Sequence, residues 1–289
     1  MKKLFSILFF ISTAAFSQSK FSLIKTIDAP SGFFTSDNQS NVYVVKGNEL
    51  TKYDKTGKVL YKYSNKNYGN ISFVDASNML RILVFYKDFL QVVFLDNTLS
   101  TSGDPVNLEK VGFQQTQLVC SSNNNGLWIY DQQNFELIRF DKNLTKVQQT
   151  GNLTSALTID LQPIALQEYD NKVYMNNPST GILIFDIYGT YYKTIPVKNA
   201  SNFQPIGDWV YYLTGNTIKA YNIKSTEEKE FAIADMEFET NGNKIKSDQE
   251  GSGEVKNVAM PVSKIDNFRL ELGVLMLRSE KSIYLFSAE

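Results

Sequence analysis

The sequence predicts an all-β fold, a single β-propeller of about six blades. The main observation is a recurring marker, in which an apolar strand ends in an aromatic residue or leucine followed by Asp or Asn. The five clear copies are Tyr53-Asp54, Leu95-Asp96, Phe140-Asp141, Phe185-Asp186 and Tyr221-Asn222. Their spacings are 42, 45, 45 and 36 residues. Self-similarity at this period in strand-rich sequence is typical of propeller blades.

The units also match in what precedes the marker. Most contain a strand, a turn rich in Asp, Asn and Gly, a second strand with an aromatic centre, and a third strand that ends at the marker; in the third unit these strands are 117–120, 126–130 and 135–141. Val, Ile, Tyr, Phe and Thr dominate the core segments, and helical periodicity is weak. Asp is well suited to the first position of a turn such as Asp54-Lys55-Thr56-Gly57, so the marker predicts a structural role rather than a metal or catalytic one.

The last unit is irregular, and the amino-terminal strand is expected to complete it. Residues 234–254 turn polar and are interpreted as an insertion before blade six, whose strands are predicted at 255–260, 268–277 and 282–286. A lone strand at 21–27 lies before the first full unit. Pairing it with the carboxyl-terminal blade closes the ring and removes exposed sheet edges. Leu23 and Ile24 are then expected beside residues 283–285.

The first 17 residues predict an export signal, so residues 18–289 would form the propeller domain. Lys2 and Lys3 precede an uncharged apolar stretch at 4–15, and Ala15-Phe16-Ser17 supplies the small residues of a cleavage site before Gln18. The apolar stretch is shorter than the ~20 residues that a spanning helix needs, so no direct membrane insertion is expected. The mature protein is therefore expected to be soluble, or attached to a membrane only through a partner.

Composition argues against nucleic-acid binding and against common forms of catalysis. Without Lys2 and Lys3, the 29 basic residues become 27 against 30 acidic ones, and they form no basic stripe. The sequence contains no histidine, and Cys120 is its single cysteine. A reactive thiol would need an activating base, and zinc ligation needs His or Cys in number. We therefore expect no enzymatic activity, no cofactor, no metal and no small-molecule substrate.

The central channel of a propeller is lined by the first strand of each blade, and the sequence predicts these strands to be mostly apolar. A calcium-centred hydrolytic propeller would need several carboxylates or amides there, and Asp75 and Gln204 do not suffice. The predicted first strands are 33–35, 73–75, 118–120, 164–166, 203–205 and 258–260.

One segment is notable for aromatic residues at a turn. The strands at 82–85 and 91–95 should be joined by a tight turn at Lys87-Asp88, which would present Tyr86 and Phe89 at the rim. Aromatic residues at a rim are typical interface anchors, so Tyr86, Lys87 and Phe89 are the candidate partner-binding residues. The alternative is that both rings pack under a neighbouring blade.

The run ILVFYKDFLQVVFLDNTLS at residues 82–100, within an exported propeller of this size, resembles the plug proteins of the type IX secretion system. The resemblance implies a periplasmic, non-enzymatic propeller. Such a protein docks on a large outer-membrane β-barrel translocon and closes its periplasmic end. Two alternatives stay open: a propeller enzyme or ligand-binding protein with a metal site in the channel, and a scaffold for outer-membrane protein assembly.

Overall fold

The chain folds as six antiparallel sheets arranged as blades around a central axis. The structure is a computed structural model, and it describes residues 20–29, 33–240, 243–244 and 264–288. Each blade has four strands from the axis outwards, and blade six carries two more. The strands are β1 (Lys20–Asp28), β2 (Phe34–Ser36), β3 (Val42–Lys46), β4 (Glu49–Tyr53), β5 (Val59–Ser64), β6 (Phe73–Asp75), β7 (Ile82–Tyr86), β8 (Gln91–Leu95), β9 (Val106–Asn107), β10 (Val119–Ser122), β11 (Gly126–Asp131), β12 (Glu136–Phe140), β13 (Lys146–Gln149), β14 (Ala165–Tyr169), β15 (Lys172–Asn177), β16 (Gly181–Asp186), β17 (Tyr191–Ile195), β18 (Asn202–Ile206), β19 (Trp209–Thr214), β20 (Thr217–Asn222), β21 (Glu228–Ala232), β22 (Glu237–Thr240), β23 (Asn243–Lys244), β24 (Ile265–Glu271), β25 (Val274–Ser279) and β26 (Ser282–Ala288).

Blades one to five follow the chain in order, as β2–β5, β6–β9, β10–β13, β14–β17 and β18–β21. Innermost strands of successive blades contact one another, and β24 of blade six contacts β2 of blade one, so the ring is closed. Helical structure in the described part of the chain is limited to α1 (Leu153–Leu157) and three single turns of 3-10 helix, at Lys87–Phe89, Asn123–Asn125 and Ile233–Asp235.

The marker turns confirm the structural role that the sequence predicts. In blade one, Oδ1 of Asp54 accepts hydrogen bonds from the backbone N–H of Thr56 and of Lys58, at 2.8 and 3.0 Å. Asp96, Asp141 and Asp186 repeat this pattern in blades two to four. In blade five, Oδ1 of Asn222 accepts hydrogen bonds from the backbone N–H of Lys224 and of Ser225. The marker side chain therefore closes the turn between the third and fourth strands in blades one to five.

A separate apolar cluster fills each of the six interfaces between neighbouring blades. Each strand alternates its side chains between the two faces of its sheet, and over the central strands of a blade both faces are covered by another blade. The strands therefore contain long buried runs, as in β7 and β8, where every residue is buried. Packing on both faces makes the blades mutually dependent.

The amino-terminal strand closes the ring as predicted. β1 pairs antiparallel with β26 and forms the fourth strand of blade six. Leu23 faces Phe286 rather than residues 283–285, and Ile24 lies at a bulge. The bulge leaves Ile24 without a paired residue, so Lys25 takes the position opposite Leu285.

Blade six differs from the prediction in its inner strands. The run 268–277 is a hairpin with a turn at Leu272-Gly273, so β24 is the innermost strand and β25 the second. Residues 255–260, which were predicted to be the innermost strand, lie outside the described residues. Part of the predicted insertion is β-structure, since β22 pairs in parallel with β1 and β23 pairs with β22. Among the described residues, no helix is long and apolar enough to cross a membrane.

Candidate functional site: the central channel and the blade edges

The central channel is more polar than the sequence analysis predicts. The innermost strands β2, β6, β10, β14, β18 and β24 carry several side chains with polar or charged groups. These are Ser36, Asp75, Ser121, Glu168, Gln204, Arg269 and Glu271. The expectation of a mostly apolar lining was wrong because several inner strands extend one or two residues beyond their predicted ends, and because Arg269 and Glu271 lie on β24 rather than on a second strand.

Glu271 connects three blades at the channel. Its Oε1 accepts a hydrogen bond of 2.6 Å from the hydroxyl of Ser36 in blade one and one of 3.3 Å from the amide of Gln204 in blade five. Gln204 also exchanges two 2.9 Å hydrogen bonds with the backbone of Leu270. Burial raises the pKa of the Glu271 carboxyl, and the charge of Asp37 adds to this, whereas Ser36, Arg269 and Gln204 act in the opposite direction.

The raised pKa of Glu271 predicts how stability changes with pH. The folded state holds the proton more tightly than the unfolded chain, so wild-type stability should fall as pH rises from about 4.5 through the folded pKa. Glu271→Gln lacks this titration. The stability of the variant relative to wild type should therefore increase with pH across that window, as measured by urea unfolding at a series of pH values.

Asp96→Asn is the matched control, because the pKa of Asp96 is shifted the other way. The hydroxyl of Thr98 and the N–H of Ser100 lower it, so its charged form stabilises the fold above the unfolded pKa. The free energy of unfolding of Asp96→Asn should therefore be below the wild-type value at neutral pH, and the difference should disappear as the pH falls. If the stability difference from wild type changed with pH in the same way for both variants, the opposite pKa shifts of Glu271 and Asp96 would be contradicted.

A second polar cluster joins blades three and four. The buried carboxylate of Glu168 accepts hydrogen bonds from the Ser122 hydroxyl at 2.6 Å, the Trp128 indole N–H at 2.6 Å and the Asn123 backbone N–H at 2.8 Å. Nε of Arg139 donates to the same Ser122 hydroxyl at 2.7 Å. All these partners belong to the protein, so the cluster fastens the two blades together.

Neither a metal cluster nor an activated thiol is present in the part of the chain that the structure describes. No group of three or more His, Cys, Asp or Glu residues there could hold a metal ion. Cys120 is buried, and burial raises the pKa of its thiol, with Asp75 and Glu168 adding to the effect. The thiol therefore stays protonated at neutral pH.

The three candidate partner-binding residues have different surroundings. Tyr86 is fully buried, and its hydroxyl donates to that of Tyr63 at 3.3 Å. Its ring also meets the ring of Tyr68 edge-on, with centroids 5.5 Å apart. Lys87 and Phe89 are exposed, on the 3-10 turn between β7 and β8. The expectation that Tyr86 lies at the rim was wrong, because tyrosines of the preceding blade and its connection cover it.

Exposed apolar side chains gather on the outer strands of two blades. On β5 of blade one, Val59, Leu60 and Tyr61 are 45%, 39% and 42% exposed. Around β17 of blade four, Tyr191 and Tyr192 are 40% and 58% exposed, and Tyr188 in the preceding turn is exposed too. A cleft of about 300 Å³ lies beside them, lined by Asn171, Lys172, Phe185, Asp186, Thr190, Tyr191 and Tyr192. These edges were not among the predicted contact residues, although each follows a marker turn by a few residues.

The chain is an all-β, six-bladed β-propeller, and solved structures share this architecture. The WD40 domain of Pan2 from Neurospora crassa is 11% identical with a TM-score of 0.61, over 94% of this chain and 96% of that one. A streptogramin B lyase is 13% identical with a TM-score of 0.56, over 91% of this chain and 94% of that one. No family model and no curated protein matches the sequence.

A further similar structure is the catalytically inactive histidine-to-alanine form of virginiamycin B lyase from Staphylococcus aureus. It is 12% identical with a TM-score of 0.57, and the match covers 91% of this chain and 99% of that one. The same fold therefore occurs in a WD40 domain and in lyases. The present sequence contains no histidine.

Proposed function

We propose that this chain is a non-enzymatic periplasmic propeller that docks on an outer-membrane β-barrel translocon and closes its periplasmic end, as a plug of type IX secretion. The observation that carries the proposal is the position of the two exposed apolar edges. Blades one and four are separated by two blades in either direction around a six-bladed ring, so β5 and β17 lie on opposite sides of the disc. A disc that contacts its partner at opposite points of its perimeter suits a ring-shaped opening.

The rigidity of the disc supports the same role. Six packed interfaces and a closed ring fix the relative positions of the two edges before any partner binds. A preordered surface loses little conformational entropy on docking, so more of the contact energy appears as affinity. The Tyr side chains at these edges supply large, rigid contact area at a low entropic cost.

The sequence supplies the cellular context of the proposal. The export signal predicted at residues 1–17 would carry the mature chain to the periplasm, and the run at 82–100 resembles the plug proteins. Phe89 and Lys87 at the tip of blade two remain further candidate contacts for the translocon. Tyr86 stays out of the contact surface, because its side chain is buried.

Site-specific photo-crosslinking in the native host tests the proposal. A photoreactive side chain would replace Leu60, Tyr192 or Phe89 in a tagged protein that is then recovered from outer membranes. Leu80 is the matched control, since it is 69% exposed but lies in the turn between the two innermost strands of blade two. Leu60 and Tyr192 should both crosslink to the same large β-barrel, with a weaker product from Leu80.

Two results would contradict the proposal. One is recovery of the protein without a barrel partner, and the other is a crosslink from Leu80 alone. Crosslinks to machinery that inserts outer-membrane proteins would instead favour the assembly-scaffold alternative.

A further inference from the structure

The innermost strand of blade six brings an arginine, Arg269, to the wall of the central channel. Arg269 is on β24, the innermost strand of blade six, and its charge interacts with Glu271 on the same strand and with Asp75 on β6. Asp75 belongs to blade two, and blade one separates blades two and six around the ring. Glu271 lies two residues further along β24, on the same face of the strand, and bonds to the innermost strands of blades one and five. The Arg269 side chain therefore lies on the side of β24 that faces the channel.

No group of the described residues satisfies the guanidinium directly. Nε of Arg269 is buried and has no hydrogen-bond partner. The Nη atoms make no hydrogen bond or ion pair with the described residues either. The Nη atoms are not fully buried, so water or a ligand can reach them. Burial lowers the pKa of Arg269, but an arginine side chain stays protonated in proteins, so a full positive charge faces the channel without a direct partner.

The two nearby carboxylates are already engaged with other donors. Oδ2 of Asp75 accepts from the Ser121 N–H at 2.8 Å, and its Oδ1 accepts from the Ser77 N–H at 2.9 Å. Glu271 accepts from Ser36 and Gln204. These carboxylates reduce the electrostatic cost of the buried cation, but they leave its N–H groups without acceptors. The buried Nε–H of Arg269 is costly without an acceptor, and its accessible Nη atoms are free to bind one.

We propose that the channel is a binding site for one small oxyanion group, a carboxylate or a phosphate, held by the Nη atoms of Arg269. The planar fork of a guanidinium matches two oxygens of such a group and forms two parallel charge-assisted hydrogen bonds. Glu271 limits the affinity by its own charge. This inference is independent of docking on a translocon, since it concerns only the interior of the ring.

Isothermal titration of the full mature protein with sodium acetate and with sodium phosphate, at constant ionic strength, tests the site. At least one of the two anions should bind at a 1:1 ratio with a Kd of about 1 mM or tighter. Comparing the two anions decides whether the site takes a carboxylate or a phosphate. Heat that does not saturate up to about 50 mM of either anion would overturn the proposal, and ordered water would then be the partner of Arg269.

Three variants and one control separate this site from general charge effects. Arg269→Gln should weaken binding at least about tenfold, because it removes a charge-assisted pair of hydrogen bonds. Arg269→Lys keeps the charge but lacks the fork and should also weaken binding, which covers the case in which Arg269→Gln does not fold. Glu271→Gln should tighten binding by removing a nearby negative charge. Lys142→Gln removes an exposed positive charge in a marker turn and should leave the Kd unchanged.

Two patterns of variant results would overturn the site. One is equal weakening by Arg269→Gln and Lys142→Gln, and the other is a Kd unaffected by either substitution of Arg269.

Discussion

Replacing Gly181 with alanine should destabilise the protein by about 4 kcal/mol or more, since a new clash with backbone is among the few mechanisms that produce effects of this size. Gly181 begins β16 with φ +129°, and a Cβ built there would lie 2.0 Å from the carbonyl oxygen of Ile195 and 2.9 Å from the amide nitrogen of Val197. Both clashing atoms belong to the backbone, so no side-chain rotation relieves the contact. The two central strands of blade four would have to move away from its outer strand.

Gly207→Ala is the matched control for backbone conformation without a clash. Gly207 has φ +58°, and a Cβ added there meets no atom within 4 Å. The substitution should lower the free energy of unfolding by only about 1–2 kcal/mol, the usual penalty for alanine in a left-handed conformation. Equilibrium urea unfolding of both variants measures the difference, and an unchanged m-value confirms that stability alone has changed. Similar costs for the two substitutions would contradict the clash.

The repeat could be predicted from sequence because the marker acts locally. The side chain of Asp54 or Asp141 bonds to backbone N–H groups two and four residues later, so its effect does not depend on the rest of the ring. The closure by β1 was predictable for a similar reason. A lone strand at one end of the chain and an incomplete unit at the other leave a single arrangement without exposed edges.

The channel could not be predicted because it depends on strand register and on one hairpin. A shift of one residue moves every side chain of a strand to the opposite face. Phe268 and Leu277 belong to one strand-like run with apolar residues at most positions, and only Gly273 signals the turn within it. Without that turn, Arg269 and Glu271 were assigned to a second strand, away from the axis.

The exposure of individual side chains depends on contacts between blades, which sequence patterns do not report. Tyr86 is covered by Tyr63 and Tyr68, which lie about 20 residues earlier in the chain. Outer strands such as β5 and β17 have the same β-rich composition as buried strands, although only one of their edges is paired. Exposure of Tyr61 and Tyr192 therefore appears only once the order of strands in each blade is known.

Deletion of β1 should remove the cooperative unfolding transition of the whole propeller. Phe21 and Ile27 are 1% and 4% exposed in the intact ring, and burial of each contributes about 1.5–3 kcal/mol. The deletion also removes the backbone pairing with β26 and separates β22 and β23 from the rest of the sheet. The combined loss is comparable with the whole stability of a typical domain, about 5–15 kcal/mol.

The aromatic contacts around Phe21 show why this loss would spread through blade six. The ring centroid of Phe21 lies 5.6 Å from that of Phe238, which lies 4.6 Å from that of Phe286. These rings belong to the cluster between blades five and six, whereas Ile27 packs in the cluster between blades six and one. One strand therefore supports both interfaces of the last blade. Near-UV circular dichroism and thermal unfolding of the truncated protein would detect the loss of fixed packing.

A circular permutant provides the control for this deletion. Phe21 pairs with Ala288, so a short hairpin can join the end of β26 to the start of β1, with the new amino terminus placed at Ala29. If β1 acts through its place beside β26, the permutant should regain a cooperative transition that the deletion lacks. A deletion variant that unfolds at the wild-type temperature would show that five complete blades and a three-stranded sixth hold the ring by themselves. Failure of the permutant alone would place the stabilising effect in the covalent link from β1 to blade one rather than in the contacts of β1.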